Sequence, residues 1–255
     1  MRQFNYVILA MLWLSLGASA IASEQPILDV SVGWSKPPYV IEQDDSGFEI
    51  ELVKAIFNQL GYQLKFIYVP FARSPYLLNQ GETDLAMTIN PRMDIKKQQL
   101  SIPYISYHNV AISLKERHLT INVVADLANY SVVAFQNAKV VLGYEYGRAV
   151  KQSLFYQELP DQAHQVEMLL KGRTDVVVMD INIFNYLSRA YSNQNQMDKV
   201  NVHTLFPVSK YQLGFKNSAL KDLFNEKLNI YKGSDAYQQL LKKYEFYQVE
   251  SHNQP

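Results

Sequence analysis

Asp180 stands where a carboxylate can do chemistry. It closes an unbroken apolar run, Val176-Val177-Val178-Met179, and a helical pattern starts at once with Ile181. In open α/β sheets, ligands bind beyond the carboxyl ends of strands. An acid at such a tip suits an ammonium group or a row of hydroxyls. It equally suits the free N–H groups of the helix behind it, as an N-cap. Arg92 follows another apolar run, Asp84 to Ile89. A guanidinium at a strand end can clamp a carboxylate with two parallel bonds; a surface arginine is the plainer alternative. Arg73, in Pro70-Phe71-Ala72-Arg73, is a rival for the same carboxylate. Trp34, at the end of the first strand, offers a ring for the apolar part of a ligand or for the core.

Other chemistries lack their residues. With no cysteine, disulfides, thiol nucleophiles and zinc–thiolate sites are excluded. The five histidines, His108, His118, His164, His203 and His252, include no i,i+4 pair for a metal. There is no Gly-x-Ser-x-Gly elbow, P-loop or Gly-x-Gly-x-x-Gly turn. No cofactor, no metal and no catalytic residue are expected. Lys+Arg and Asp+Glu balance at 24 each, which leaves no electrostatic footprint for nucleic acid and no basic face for anionic membranes.

The elements that must hold these residues follow from periodicity. Leu28 to Trp34 alternates as a strand, and Pro37-Pro38 stop it. Ser46-Gly47-Phe48-Glu49 has capping-box spacing ahead of a helix through Leu60, with Gly61 as its stop. Leu64 to Val69 is a strand. Ser74 caps a short helix with proline at its first position, and Asp84 to Ile89 is a strand. This β-α-β-α-β series implies a mainly parallel sheet covered by helices. The pattern restarts with a strand at Ser131 to Phe135 and a helix at Val140 to Lys151. An Asp161-capped helix to Lys171, the strand ending at Asp180, and a helix from Ile181 to Ala190 complete it. Gly81-Glu82-Thr83-Asp84 and Gly172-Arg173-Thr174-Asp175 occupy matching places, so two lobes of similar build are expected. Two helices end the chain, before a polar tail at 251–255.

The N-terminus has Arg2, an apolar run from Tyr6 to Leu16, and small residues to Ala22. This is the pattern of a cleaved signal peptide over residues 1–22, and the run falls short of the ~20 residues of a spanning helix. Without a cysteine there is no lipid anchor at the leader, so the mature chain is expected free in solution, with no membrane insertion.

The landmarks resemble the family 3 extracellular solute-binding proteins, the amino-acid-type receptors of bacterial ABC importers. They are Val32-Gly33-Trp34-Ser35-Lys36-Pro37-Pro38-Tyr39, Gly47-Phe48-Glu49-Ile50-Glu51-Leu52, the two Gly-x-Thr-Asp turns, Ser101-Ile102-Pro103-Tyr104, and Tyr211-Gln212-Leu213-Gly214-Phe215-Lys216. The resemblance implies an α/β, two-lobed periplasmic-binding-protein-like fold of type II. Lobe 1 would be discontinuous, 24–109 plus 210–250, and lobe 2 would be 110–209. Hinge strands would cross near Tyr107 to Ser113 and Pro207 to Phe215.

The resemblance also implies roles. Asp180 matches the acid that takes an α-amino group, and Tyr39 and Phe71 match rings that stack on the ligand. Arg92 corresponds to the carboxylate-binding arginine, although its segment is shorter than usual. A Gly-Thr pair that gives donors to a carboxylate is replaced here by Gln136-Asn137-Ala138-Lys139, leaving Asn137 as substitute donor. The expected function is periplasmic binding of a small polar solute by a monomer, for an ABC permease. A soluble sensor for a membrane receptor, or a small-acid dehydratase of the same fold, are the alternatives.

Overall fold

The computed structural model describes residues 25–244. The leader read over residues 1–22 and the tail at 251–255 lie outside the described residues. In chain order the elements are β1 (Ile27–Gly33), α1 (Phe48–Gln59), β2 (Gln63–Val69), α2 (Ser74–Gln80), β3 (Leu85–Ile89), β4 (Ile105–Tyr107) and β5 (Asn109–Leu114). They continue with β6 (Ser131–Phe135), α3 (Ala138–Leu142), α4 (Tyr144–Val150), β7 (Phe155–Leu159), α5 (Gln162–Leu170), β8 (Val176–Asp180) and α6 (Ile181–Ser192). Last come β9 (Val200–His203), β10 (Ser209–Phe215), α7 (Ser218–Lys232) and α8 (Asp235–Tyr244).

Two five-stranded sheets result, ordered β2-β1-β3-β10-β4 and β7-β6-β8-β5-β9. In each, the first three strands are parallel, and the fourth, β10 or β5, runs against both neighbours. Each sheet is therefore mixed, with one reversed strand. The chain leaves the first sheet at His108, between β4 and β5, and returns between β9 and β10. Each reversed strand is the first one built after a crossing.

The repeated turns do the same work twice. The Asp84 carboxylate accepts the Asp29 N–H of β1 at 3.1 Å, and that of Asp175 accepts the Ser131 N–H of β6 at 3.0 Å. The carbonyl of Gly81 accepts from Lys216 Nζ at 3.0 Å, just past β10, and that of Gly172 accepts from Arg117 Nη2 at 2.8 Å, just past β5. Each turn thus ties the second, third and fourth strands of its own sheet.

Helix α1 packs Leu52, Val53, Ile56 and Phe57 at 0 % exposure, and Phe57 stacks with Phe215 and Phe224. A side chain of this size contributes about 1.5–3 kcal/mol when fully buried.

Several local expectations are corrected. The capping box at Ser46-x-x-Glu49 does not form: Gly47 is the N-cap without a side-chain bond, and Glu49 is fully buried. Ser74 is not a cap either; it is buried, its hydroxyl 2.8 Å from that of Ser31. The helix expected over 140–151 breaks at Gly143, whose φ of 89° interrupts the helical path. The strands β7 and β9, each short, lie at the two edges of their sheet, where one side needs no partner.

Gly47 is held at φ 108°, and a Cβ there would lie 2.3 Å from the Tyr39 carbonyl oxygen. Gly47→Ala is expected to cost at least about 2 kcal/mol through backbone strain and overpacking, read as a lowered melting temperature.

Candidate functional site

The strand tips of both sheets converge on one cleft, a cavity of about 40 Å³. The first sheet contributes Gly33 at the end of β1, Trp34 just past it, Phe71 past β2 and Thr88 of β3. The second contributes Phe135 and Gln136 at β6, Gln162 at α5 and Asp180 of β8. The crossing segments add Tyr107, Asn109 and Tyr211. A gap floored by strand tips from two sheets is where α/β folds place ligands.

Asp180 is 1 % exposed. Its Oδ1 accepts the N–H groups of Asn182 at 2.8 Å and Ile183 at 3.1 Å, which makes it the N-cap of α6. Its Oδ2 accepts the His108 N–H at 2.7 Å and the Tyr39 hydroxyl at 3.4 Å. Both readings from sequence thus meet in one side chain, which caps a helix and lines the cleft. Burial pushes its carboxyl up to about 7, against the pull of these backbone N–H groups and of the Tyr39 hydroxyl. Among the described residues no Lys, Arg or His forms an ion pair with it. Gln162 Oε1 is a further buried acceptor on the cleft lining, with no hydrogen-bond partner among the described residues.

The opposite wall carries a cation. Lys36 is 5 % exposed and donates to Thr88 Oγ1 at 3.0 Å. Its Nζ lies 3.9 Å from Glu49 Oε2 and 5.8 Å from the centre of the Phe71 ring. Burial lowers its pKa, and the nearby Glu49 charge opposes that shift. Glu49 accepts from Thr88 Oγ1 at 2.5 Å, from the Tyr104 hydroxyl, and from the Tyr107 hydroxyl at 2.6 Å. Thr88 reaches both partners because its φ is 59°. At that residue β3 bulges, with Met87 and Thr88 facing the single Leu213 of β10. A β-branched residue in this region costs on the order of 1–3 kcal/mol, which the surrounding bonds must hold.

The residues singled out from sequence fall into three places. Trp34, Phe71 and Asp180 line the cleft. Tyr39 is 1 % exposed behind it, stacked on Tyr107 at 4.1 Å between ring centres. The other three stand off the cleft. Arg73 is exposed at the end of a short turn. Asn137 begins α3, where its N–H donates to Glu158 Oε2 at 2.8 Å. Arg92 reaches across to the other lobe and donates to the Val141 carbonyl at the end of α3, at 2.6 Å. Its guanidinium fits against Gly143, where a Cβ would come within 3.0 Å.

Sequence reasoning missed Lys36, Glu49, Thr88, Gln136 and Gln162. A signal existed only for Glu49, which shares the 3–4 spacing of Leu52, Val53 and Ile56 and so belongs to the buried face of α1.

Among the described residues, no helix is long and apolar enough to cross a membrane, and no three His, Cys, Asp or Glu gather as metal ligands. No protein of curated function matches the chain's sequence. Among solved structures, the chain is similar to an ancestral arginine-binding protein bound to arginine, at 25% identity and TM-score 0.69 over 86% of this chain and 98% of that one. It is also similar to an ABC uptake transporter substrate-binding protein from Streptococcus pneumoniae with bound histidine, at 15% identity and TM-score 0.70 over 86% and 92%. A histidine kinase sensor domain matches at 18% identity and TM-score 0.71, over 86% and 96%. The profile of the bacterial extracellular solute-binding proteins, family 3, matches residues 28–247. A two-lobed α/β chain with its cleft at the strand tips, matched by that profile over most of its length, belongs to the family 3 extracellular solute-binding proteins.

Proposed function

We propose that the protein binds a small ammonium-bearing solute of the amino-acid type by closing its two lobes, outside the cytoplasm, and passes it to an ABC importer. The observation that carries this is Asp180: a carboxyl on the cleft wall, 1 % exposed, with no cation beside it among the described residues. A buried carboxylate is stabilised by a cation that arrives with its own hydrogen-bond donors. Gln162 Oε1 supplies a second acceptor, and Trp34 and Phe71 supply rings on which a cation or an apolar stem can rest. The likeness to an arginine-binding protein supports the ligand class, and the likeness to a transporter's binding protein supports delivery. The leader pattern at residues 1–22 supports export. The likeness to a sensor domain favours one second reading, presentation of the closed form to a receptor.

A thermal-shift screen of amino acids, organic acids and polyamines is expected to return amine-bearing hits, since a ligand of the folded state alone raises the melting point. Hits confined to acids without an amine would overturn the proposal. Asp180 titrates near neutrality, so a bound ligand should also be checked by mass spectrometry after incubation; unchanged ligand is expected, and a dehydrated product would make the protein an enzyme.

Asp180→Asn keeps a side-chain oxygen for the α6 cap but removes the charge. Affinity for an ammonium ligand should fall about 100-fold or more by calorimetry. In the wild type the carboxyl must lose its proton to receive a cation, so affinity should rise with pH through about 7. The unliganded protein should show the opposite sign. A carboxyl whose pKa is raised on folding adds stability that is full below about 4 and is lost as pH rises through about 7. His108, whose imidazole is held below its usual range by burial, acts the other way below its own pKa, and Tyr39 stays protonated throughout. Asp180→Asn should flatten only the component near pH 7.

Closure draws on bonds between the lobes, among them Arg92 to the Val141 carbonyl and the Ala72 N–H to Gln136 Oε1 at 3.1 Å. Arg92→Ala should weaken every ligand alike, by about 2–10-fold, as one charge-assisted bond of the closed form is lost. A loss confined to carboxylate-bearing ligands would instead make Arg92 their clamp.

A further inference from the structure

We propose that Lys36, held by Thr88 and Glu49, is an anion-binding subsite opposite Asp180, so that the solute carries a carboxylate or similar acid as well as its ammonium group. This rests on the reading of the cleft as an ammonium site.

Lys36 Nζ has three donors, and one of them is used on Thr88 Oγ1 at 3.0 Å. Lys36 is among the residues that line the cleft, and it is 5 % exposed. Glu49 does not fully occupy it. At 3.9 Å the pair is an ion pair without a hydrogen bond, and the carboxylate takes three hydroxyl donors instead, from Thr88, Tyr104 and Tyr107. Glu49 therefore favours the charged lysine against the effect of burial without taking up its remaining N–H groups. Two ring faces, Phe71 at 5.8 Å and Tyr107 at 6.0 Å, limit where the ammonium can swing. Gly33 completes the fit, since a Cβ there would touch Nζ at 3.4 Å.

The neighbouring arginines leave this task open. Arg92 is engaged on the Val141 carbonyl, and Arg73 is exposed away from the cleft lining. The second lobe, with Gln136-Asn137 at the tip of β6, presents no cation there. A lysine acts as a point charge rather than a planar fork, so the subsite should accept a tetrahedral acid nearly as well as a planar one.

The test is isothermal titration of pairs that differ only in the acid: L-arginine with agmatine, L-histidine with histamine, and β-alanine with taurine for the shape of the acid. For the pair member that binds, the wild type should prefer the amino acid over its amine by at least about ten-fold, the effect of one charge-assisted bond. In Lys36→Met the preference should shrink to less than about three-fold while affinity for the amine stays within that range. Asp180→Asn should weaken both members together. Lys36→Met leaves Glu49 buried without its cation, so the double variant Lys36→Met/Glu49→Gln serves where the single one melts early, and Lys36→Arg should keep a preference for carboxylate. Taurine within about five-fold of β-alanine supports a point charge. An amine that binds the wild type as tightly as its amino acid, or a preference that survives in both Lys36→Met and Lys36→Met/Glu49→Gln, overturns the subsite and leaves the ammonium site standing. Wild type that binds none of the six compounds overturns both.

Discussion

A charge taken out of water must be compensated where it lies, and two carboxylates of this chain are taken out of water beside the same cleft. Glu49 and Asp180 are exposed by 0 % and 1 %. They are compensated in different ways. Glu49 has a lysine at 3.9 Å and three hydroxyl donors, a finished network. Asp180 has two N–H groups from its own helix, one from His108 and a tyrosine hydroxyl, but no cation among the described residues. Hydrogen bonds alone leave its carboxyl raised to about 7. The N-terminus of α6 favours the ionised form, worth typically about 0.3–1 kcal/mol, which is too little to offset full burial. The imbalance between the two carboxylates is what gives the cleft its polarity.

The frame that holds them is made twice from the same local chemistry. An aspartate after each Gly-x-Thr turn fixes the start of the second strand, and a basic side chain past the reversed strand fixes the glycine carbonyl. Three strand ends per sheet are thereby set relative to one another at the end remote from the cleft. The tips that form the cleft are left free of such ties and carry the polar groups instead. Rigidity at one end and chemistry at the other is the division expected when a site sits on strands rather than on long loops.

Much of this was legible because the signals were local. The Asp161 cap, the β6 and β8 runs and the final helices follow from spacing within a few residues. Asp180 stood out because an acid directly after four apolar residues has few roles. Lys36 did not, since it lies in a proline-rich stretch that reads as punctuation, and an isolated lysine is usually exposed. Its burial depends on Glu49 and Thr88, which are distant in sequence, and on a bulge in β3 that no pattern announces. Glu49 was legible in principle. Its helical spacing with Leu52 and Ile56 pointed inward, but the capping-box reading of Ser46-x-x-Glu49 pointed outward, and only packing decides between them. The place of Arg92 was set by the same bulge and by the α3 break at Gly143, both tertiary features.

The coupling of ligand to closure needs no long path here. Asp180 Oδ2 bonds the N–H of His108, the residue at which the chain crosses between lobes, and Glu49 bonds the hydroxyl of Tyr107, the residue before it. Tyr107 stacks on Tyr39, whose hydroxyl returns to Asp180, and packs against Tyr211 of the other crossing at 5.0 Å. Each of the two buried carboxylates beside the cleft is therefore one hydrogen bond from a residue of the crossing. A ligand shifts an open–closed equilibrium only by the difference between its contacts in the two states. On the proposed reading, an ammonium at Asp180 and an acid at Lys36 would meet opposite lobes, so both contacts together would exist only when the lobes are closed. A ligand with one charge would gain its contact in either state and would move the equilibrium little, which makes the two-charge solute the one that the hinge can sense.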